Sequence, residues 1–171
     1  VLEAQADLIV TSGGVSVGDF DLTKRVLATE GSLDFWWVNM RPGRPMAFGR
    51  LGTTPLLALP GNPVAAMLSF LLFGRAAVRK MRGHAQWELP TRRARLSEGV
   101  SRKDGRRHYL RVRLQQADDG WEAILTGDQG SGILLSMVAA DGVAVIPEDC
   151  SQLPAGSEVE VILFPSTEGG A

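Results

Sequence analysis

The stretch LIVTSGGVSVGDFD, residues 8–21, joins a short apolar run to a glycine-rich loop and two carboxylates. The apolar run predicts a strand over residues 7–11 that is buried on both faces, as strands of parallel sheets are. A short amphipathic helix is predicted over residues 21–30, because its apolar side chains fall on one side and Gly31 follows it. The loop therefore lies between the carboxyl end of a strand and the start of a helix, where open α/β sheets bind ligands.

The pattern that follows is typical of an α/β domain. Apolar periodicity predicts three more strands and one long helix, at residues 33–40, 46–50, 56–59 and 64–82. Asn62 is a suitable N-cap for the long helix, and Pro63 fits its first helical position. The order strand, helix, strands, helix indicates the α/β class.

The second half of the chain alternates as an all-β domain does. Five strands are predicted, at residues 92–96, 109–115, 122–126, 142–146 and 158–164. Asp-Gly pairs at residues 104–105 and 119–120 suit the turns of tight hairpins, and only residues 133–140 look helical. We therefore predict an α/β domain over residues 1–86, followed by a small, barrel-like all-β domain over residues 87–171.

The composition indicates a folded protein without a global charge field. Apolar residues make up 44% of the chain and charged residues 22%, which allows a packed core. The net charge is −1, so charge alone recruits neither nucleic acid nor an anionic membrane. Cys150 is the one cysteine, so no internal disulfide forms and a reducing cytoplasm is the default compartment. No apolar stretch approaches the roughly 20 residues that a membrane span needs.

The glycine loop and its carboxylates form the first candidate site. Backbone N–H groups of such a loop approach an anion without side chains in the way. Asp19 and Asp21 could help to hold Mg²⁺ beside a bound phosphate. The structural alternatives are a tight turn that needs positive φ angles, and a helix cap made by Asp21.

Two further junctions follow strands of the same predicted sheet. Arg41–Pro45 places two arginines around a rigid turn, and guanidinium forks suit tetrahedral oxyanions. Pro60–Pro63 offers the positive end of a helix. By themselves these motifs are explained by a basic surface turn and an ordinary helix cap. Because all three junctions present groups that favour anions, we expect them to form one oxyanion pocket.

The other polar residues give weaker signals. Five cations indicate a basic hairpin whose tip is solvated, or less often binds nucleic acid: Arg102, Lys103, Arg106, Arg107 and Arg111. His84 and His108 lack partners at metal-ligand spacing, so no zinc site is predicted.

The junctions resemble, in order, spacing and residue identity, the molybdopterin molybdenumtransferase family, which includes bacterial MoeA proteins and the E domains of gephyrin and its plant counterpart. The matching motifs are Thr11–Asp19 with Asp21 and Lys24, Arg41–Pro45 and Leu59–Val64. Gly130–Gly132, Ala140–Gly142 and Leu153–Gly156 are similar to parts of the family's C-terminal domain. The resemblance implies that residues 1–86 are the second half of a MogA-like molybdopterin-binding three-layer domain. Since members are usually much longer, we expect further domains upstream of Val1.

The family implies a reaction in molybdenum cofactor biosynthesis: molybdate enters adenylated molybdopterin and AMP is released. Asp21 matches a functional acid that would hold Mg²⁺ or position a water. Matching positions imply substrate binding by the loop residues Ser12, Gly13, Gly14, Ser16, Gly18 and Asp19. They imply the same for Arg41, Gly43, Arg44 and Pro45, and for Pro60, Gly61, Asn62 and Pro63. An arginine and a serine of the C-terminal domain would contact molybdate, and the candidates are Arg107 or Arg111, and Ser131.

The resemblance also implies a cytoplasmic homodimer, with possible contact to molybdopterin adenylyltransferase and no nucleic-acid or membrane partner. The chain departs from the family where Arg41 and Arg44 replace common lysines, and where Ala65 and Ala66 replace frequent serines. Alternative functions are an enzyme like molybdopterin adenylyltransferase and a non-catalytic pterin-binding or scaffolding module. The β-rich second half argues against the adenylyltransferase, which normally ends near the long helix.

Overall fold

The computed structural model describes residues 5–13, 31–130 and 132–165, and within 31–36 it describes the side chain of Ser32 alone. The chain divides into two compact units. The first comprises residues 1–38 and 43–87, and the second comprises residues 39–42 and 88–171. The helix predicted over residues 21–30 lies outside the described residues. In the described part of the chain, no helix has both the length and the apolar character needed to cross a membrane.

The described residues form twelve strands and three α-helices. The strands are β1 Ile9–Ser12, β2 Gly31–Trp37, β3 Met40–Arg41, β4 Pro45–Leu51, β5 Thr54–Leu59, β6 Thr91–Leu96, β7 Val100–Ser101, β8 Arg107–Ala117, β9 Gly120–Leu125, β10 Gly142–Ile146, β11 Gln152–Leu153 and β12 Glu158–Leu163. The helices are α1 Pro63–Ser69, α2 Arg75–Met81 and α3 Leu135–Val138. A π-helical turn, Phe70–Gly74, connects α1 and α2.

The first unit contains a four-stranded sheet in the order β1-β5-β4-β2. β1 runs parallel to β5, with Ser12 opposite Leu59, whereas β4 is antiparallel to both β5 and β2. The carboxyl ends of β1, β5 and β2 and the start of β4 therefore lie at one end of the sheet. The prediction that β1 is buried on both faces is wrong. Val10 is 41% exposed, because β1 is an edge strand that pairs only with β5 in the described part of the chain.

The long helix is confirmed, with a change in its middle. Asn62 caps it by accepting a hydrogen bond from the Ala65 N–H at 3.4 Å, and Pro63 is its first residue. The regular helix predicted over residues 64–82 widens at the π-helical turn, where the Arg75 N–H donates to the Phe70 carbonyl. Gly74 permits this packing, because a Cβ there would lie 2.5 Å from the Phe70 ring.

The second unit is built on a closed five-stranded barrel, as the alternating pattern predicted. Its strands follow the order β10-β12-β6-β9-β8, and β8 pairs again with β10 to close the ring. The interior is apolar and includes Leu96, Val112, Ile146 and Val161, each 1% exposed or less. β7 and β11, two residues each and not predicted, form a separate ribbon. The helix predicted over residues 133–140 shortens to α3, a single turn.

Two predictions about strands are wrong. The strand predicted over residues 33–40 is split: β2 belongs to the first sheet, whereas β3 pairs in parallel with β8 of the barrel. The basic run Arg102–Arg111 is not a hairpin, because β7 pairs with β11 and not with β8. Arg111 is fully buried instead of lying near a solvated tip.

Candidate functional site

One candidate surface, the sheet-end junction, lies where β1 and β5 end. It comprises Ser12, Gly13, Arg44 and Pro60–Pro63. The Gly13 N–H donates to the Leu59 carbonyl at 3.0 Å, and the Ser12 hydroxyl donates to the Pro60 carbonyl at 3.3 Å. Gly13 has φ +85°, and a Cβ on Gly61 would lie 3.3 Å from its Cα. The two junctions predicted from sequence thus meet backbone to backbone, which only small residues permit.

Arg44 and Pro45 stand at the same end of the sheet, where β4 begins beside the end of β2. The Arg44 guanidinium carbon lies 4.7 Å from the centre of the Trp37 ring, and the Val38 N–H donates to the Arg44 carbonyl at 3.0 Å. Gly43, which precedes Arg44, has φ +110° and so requires glycine. The structure therefore brings Arg44, Asn62 and the start of the glycine loop to one end of the sheet.

Several predicted site residues lie outside the described residues: Gly14, Ser16, Gly18, Asp19, Asp21 and Ser131. The expected Mg²⁺ depends on Asp21. Among the residues that are described, no group of three or more His, Cys, Asp or Glu side chains could hold a metal ion.

A second candidate surface is a cavity of about 600 Å³ in the second unit, which we call the barrel cavity. Four cationic side chains line it: Arg41, Arg102, Lys103 and Arg111. His108 and the carboxylates of Asp104 and Asp128 also line it. The four cations exceed the two carboxylates by two charges, which favours an anion.

Arg111 is the most unusual group in the barrel cavity, because its side chain is fully buried and its hydrogen bonds to described residues go only to neutral acceptors. Its Nε donates to Ser136 Oγ at 2.9 Å, and its Nη2 donates to the carbonyls of Gly130 at 3.0 Å and Asp128 at 3.3 Å. Burial lowers the pKa of Arg111, and the charge of Asp128 opposes this shift. Arg111 makes no salt bridge among the described residues. No contacting carboxylate in the described part of the chain therefore neutralises its charge.

Side chains around Arg111 hold its backbone in place. Gln129 Oε1 accepts from the Arg111 N–H at 2.8 Å, and Gln129 Nε2 donates to the Arg111 carbonyl at 3.2 Å. The Ser136 hydroxyl donates to the Ile133 carbonyl at 2.6 Å, which fixes the oxygen that Arg111 contacts. The guanidinium is thus positioned before any ligand arrives, as a binding cation should be.

Asp104 is the second centre of the barrel cavity. Its Oδ2 accepts from Arg41 Nη1 at 3.1 Å and from Arg106 Nε at 3.0 Å, and its Oδ1 lies 2.7 Å from His108 Nε2. Partial burial by itself would raise the pKa of Asp104. Hydrogen bonds from His108, Arg41 and Arg106 outweigh burial and lower that pKa well below the ordinary range.

Residues that the sequence grouped together belong to different units of the structure. Arg41 belongs to the second unit and binds Asp104, whereas Gly43 and Arg44 belong to the first. Arg107 is 47% exposed and pairs with Glu148 at 2.9 Å; it does not line the barrel cavity, whereas Arg111 does. Ser131 is outside the described residues, but its neighbour Gly130 lines the cavity.

Sequence reasoning missed three residues that line the barrel cavity, Asp104, His108 and Gln129, and also Ser136, which accepts from Arg111. The Asp-Gly pair at residues 104–105 indicates only a turn, and His108 has no second metal ligand near it in the sequence. The polar run Asp128–Gly130, placed between a strand and an apolar segment, was a signal that could have marked Gln129. Gln129 and Ser136 position Arg111, and the cations that line the cavity can attract a tetrahedral oxyanion.

Comparison with known proteins assigns a family to each half of the chain. Residues 1–80 match the family described as probable molybdopterin binding domain, and residues 93–164 match the MoeA C-terminal region, domain IV. A molybdopterin molybdenumtransferase from Haemophilus influenzae is 34% identical over 167 residues, covering 95% of this chain and 41% of that protein. Molybdopterin molybdenumtransferase 2 from Mycobacterium tuberculosis is 35% identical over 162 residues, covering 91% and 40%.

Solved structures agree with this assignment. A molybdopterin biosynthesis MoeA protein from Pyrococcus horikoshii superposes with a TM-score of 0.76 at 31% identity, covering 95% of this chain and 38% of that one. The chain thus spans about two fifths of the length of these relatives. With a probable molybdopterin binding domain followed by a MoeA C-terminal region, the chain belongs to the molybdopterin molybdenumtransferase family.

Proposed function

We propose that this chain serves molybdenum cofactor biosynthesis as part of an enzyme that inserts molybdate into adenylated molybdopterin and releases AMP. The names of its relatives support a role in this pathway, and the match to a molybdopterin binding domain supports a pterin substrate. Both substrates are anionic, so the enzyme needs cationic groups and exposed N–H donors at two places. The barrel cavity supplies cationic residues, and the sheet-end junction supplies Arg44 and the start of the helix that Asn62 caps, each within its own unit.

The observation that carries the proposal is the buried Arg111 guanidinium in the wall of the barrel cavity. A fully buried arginine without a carboxylate partner among the described residues is costly to keep. Molybdate would supply the missing negative charge and accept charge-assisted hydrogen bonds. Arg102 and Lys103 line the same cavity and would add attraction at longer range. We assign molybdate binding to this cavity.

We assign the phosphoanhydride of adenylated molybdopterin to the sheet-end junction. The close approach of Gly13 and Gly61 keeps side chains away from the backbone there. Arg44 provides a cation at that end of the sheet, and the helix that Asn62 caps directs its positive end to the same place. We expect these groups to bind phosphate, because a cation and the positive end of a helix both attract anions.

The remaining assignments rest on family resemblance. They are Mg²⁺ or water held by Asp21, a homodimer, and contact with molybdopterin adenylyltransferase. Cytoplasmic location is a proposal of the same kind.

The test is direct. The protein expressed from its whole gene is incubated with adenylated molybdopterin and molybdate, and AMP release and cofactor formation are followed together. We expect both products in equal amounts, and we expect calorimetry to show saturable molybdate binding. Pterin binding without either product would instead support the scaffolding alternative. Absence of both molybdate and pterin binding would refute the proposal.

A further inference from the structure

The donors of the barrel cavity are already partly occupied by a carboxylate of the protein. Asp104 accepts from two guanidiniums, Arg41 and Arg106, and bonds the imidazole of His108. Arg41 and His108 line the cavity, so they are donors that a tetrahedral oxyanion would otherwise use, whereas Arg106 does not line it. The Asp104 side chain is 27% exposed, so its charge acts in a partly desolvated setting where Coulomb interactions are stronger than in water.

The charge of Asp104 is permanent at physiological pH. Its three donors hold its pKa far below the ordinary value, although burial opposes them. An oxyanion that enters the barrel cavity therefore meets a fixed negative charge, together with cations that this charge has partly neutralised. Arg111 differs, because its hydrogen bonds among the described residues go to neutral acceptors, and Asp128 acts on it only through charge at longer range.

We propose that Asp104 is an internal competitor that limits the affinity of the barrel cavity for oxyanions, so that the ion is held weakly enough to be passed on. This inference rests on the proposed function, since it takes the cavity to be an oxyanion site. Arg111 binds the ion, and Asp104 restrains the remaining cations. Removing the carboxylate releases Arg41 and His108, which line the cavity, and deletes a repulsive charge, so both effects tighten binding.

The distinguishing measurement compares two tetrahedral ions of different charge. The Coulomb energy between Asp104 and a bound ion is proportional to the charge of the ion. If removing the Asp104 charge raised the affinity for the monoanion perrhenate tenfold, it would raise the affinity for the dianion molybdate about a hundredfold. In Asp104→Asn we expect molybdate to bind at least about tenfold more tightly, with a distinctly smaller gain for perrhenate. A purely structural role for Asp104 would change both affinities alike, or weaken them.

Two control variants test whether the effect on affinity comes from the negative charge at residue 104. Asp104→Glu keeps the carboxylate and should bind both ions nearly as the native protein does. Glu148→Gln removes a carboxylate that pairs with Arg107 and does not line the barrel cavity, so it should change molybdate affinity by less than about threefold. Thermal unfolding of each variant verifies that the fold is intact.

A second variant keeps the inference testable if Asp104→Asn does not fold. Arg41 is 59% exposed, so Arg41→Gln should fold. Because Asp104 already engages Arg41, we expect this variant to lose less than about threefold in molybdate affinity in the native background. A larger loss would mean that Arg41 is free to bind the ion, and would overturn the inference.

Calorimetry and stopped-flow release, with the protein from its whole gene, decide the outcome. Tighter molybdate binding and slower release in Asp104→Asn support the inference. If the native protein binds molybdate and Asp104→Asn binds it equally or less well, the inference fails and the proposed function stands. If neither protein binds molybdate, the proposed function of the cavity fails, and this inference fails with it.

Discussion

Replacing Arg111 with methionine tests whether the buried guanidinium serves the fold or the ligand. Methionine has a similar length and an apolar side chain, so Arg111→Met removes the charge and leaves little empty space. The Ser136 hydroxyl keeps its bond to the Ile133 carbonyl at 2.6 Å. Two carbonyl oxygens, those of Asp128 and Gly130, lose the donor that Arg111 provides.

The two consequences have different sizes. Each unpaired carbonyl costs about 1–3 kcal/mol, but removing a buried cation recovers several kcal/mol of desolvation. We therefore expect the free energy of unfolding to change by no more than about 2 kcal/mol. An oxyanion, by contrast, loses a charge-assisted hydrogen bond worth about 1.5–3 kcal/mol, which is about 10- to 150-fold in Kd.

The assay is titration calorimetry with molybdate at low and high salt, together with urea unfolding. Arg111→Lys is the companion variant, because it keeps the charge and loses the planar fork, and we expect intermediate affinity. Arg93→Met is the matched control, since Arg93 is a barrel arginine whose side chain is 71% exposed. Native-like molybdate affinity in a folded Arg111→Met protein would refute the assignment of the barrel cavity.

Three further predictions concern stability. Gly142→Ala would place a methyl group 2.3 Å from the Ile162 carbonyl oxygen, and we expect a loss of about 2–4 kcal/mol in urea unfolding; Gly132→Ala, with open space around it, should change little. Asn62→Ala should cost about 1 kcal/mol through the lost helix cap, and an unchanged urea midpoint would contradict this. Because the pKa of Asp104 is lowered on folding, its ionisation stabilises the protein above the ordinary aspartate range, and this contribution is lost as pH falls through the lower, folded value. Urea unfolding from pH 7 down to pH 3 should therefore show a steeper acid loss in the native protein than in Asp104→Asn.

Local patterns were sufficient to predict most of the architecture. Alternating side chains predicted the barrel strands, because each strand has one face in the apolar interior and one face outside. Asn62 and Pro63 predicted the start of α1, since capping depends on neighbours in the chain. The sheet-end junction was predicted for the same reason: glycines and prolines at strand ends are local signals.

What could not be predicted depends on partners distant in sequence. The run of cations at residues 102–111 looks solvated. Side chains of like charge that are close in sequence repel each other and are usually exposed to water. Arg111 is buried because Ser136 and the carbonyls of Asp128 and Gly130 receive it, 17 to 25 residues away. The path of residues 39–42 into the second unit likewise depends on pairing with β8, which no local pattern encodes.

The entry of β3 into the barrel has a practical consequence for dissecting the molecule. A fragment that starts at residue 88 contains every strand of the closed ring, but it lacks the neighbour that pairs with Arg107 and His108. Such a fragment would expose a strand edge and would lose Arg41, one of the cations of its own cavity. Excision at the apparent domain boundary therefore yields a barrel with an unpaired strand edge and an Asp104 that has lost one guanidinium partner, whereas a fragment that keeps residues 39–42 would retain both contacts.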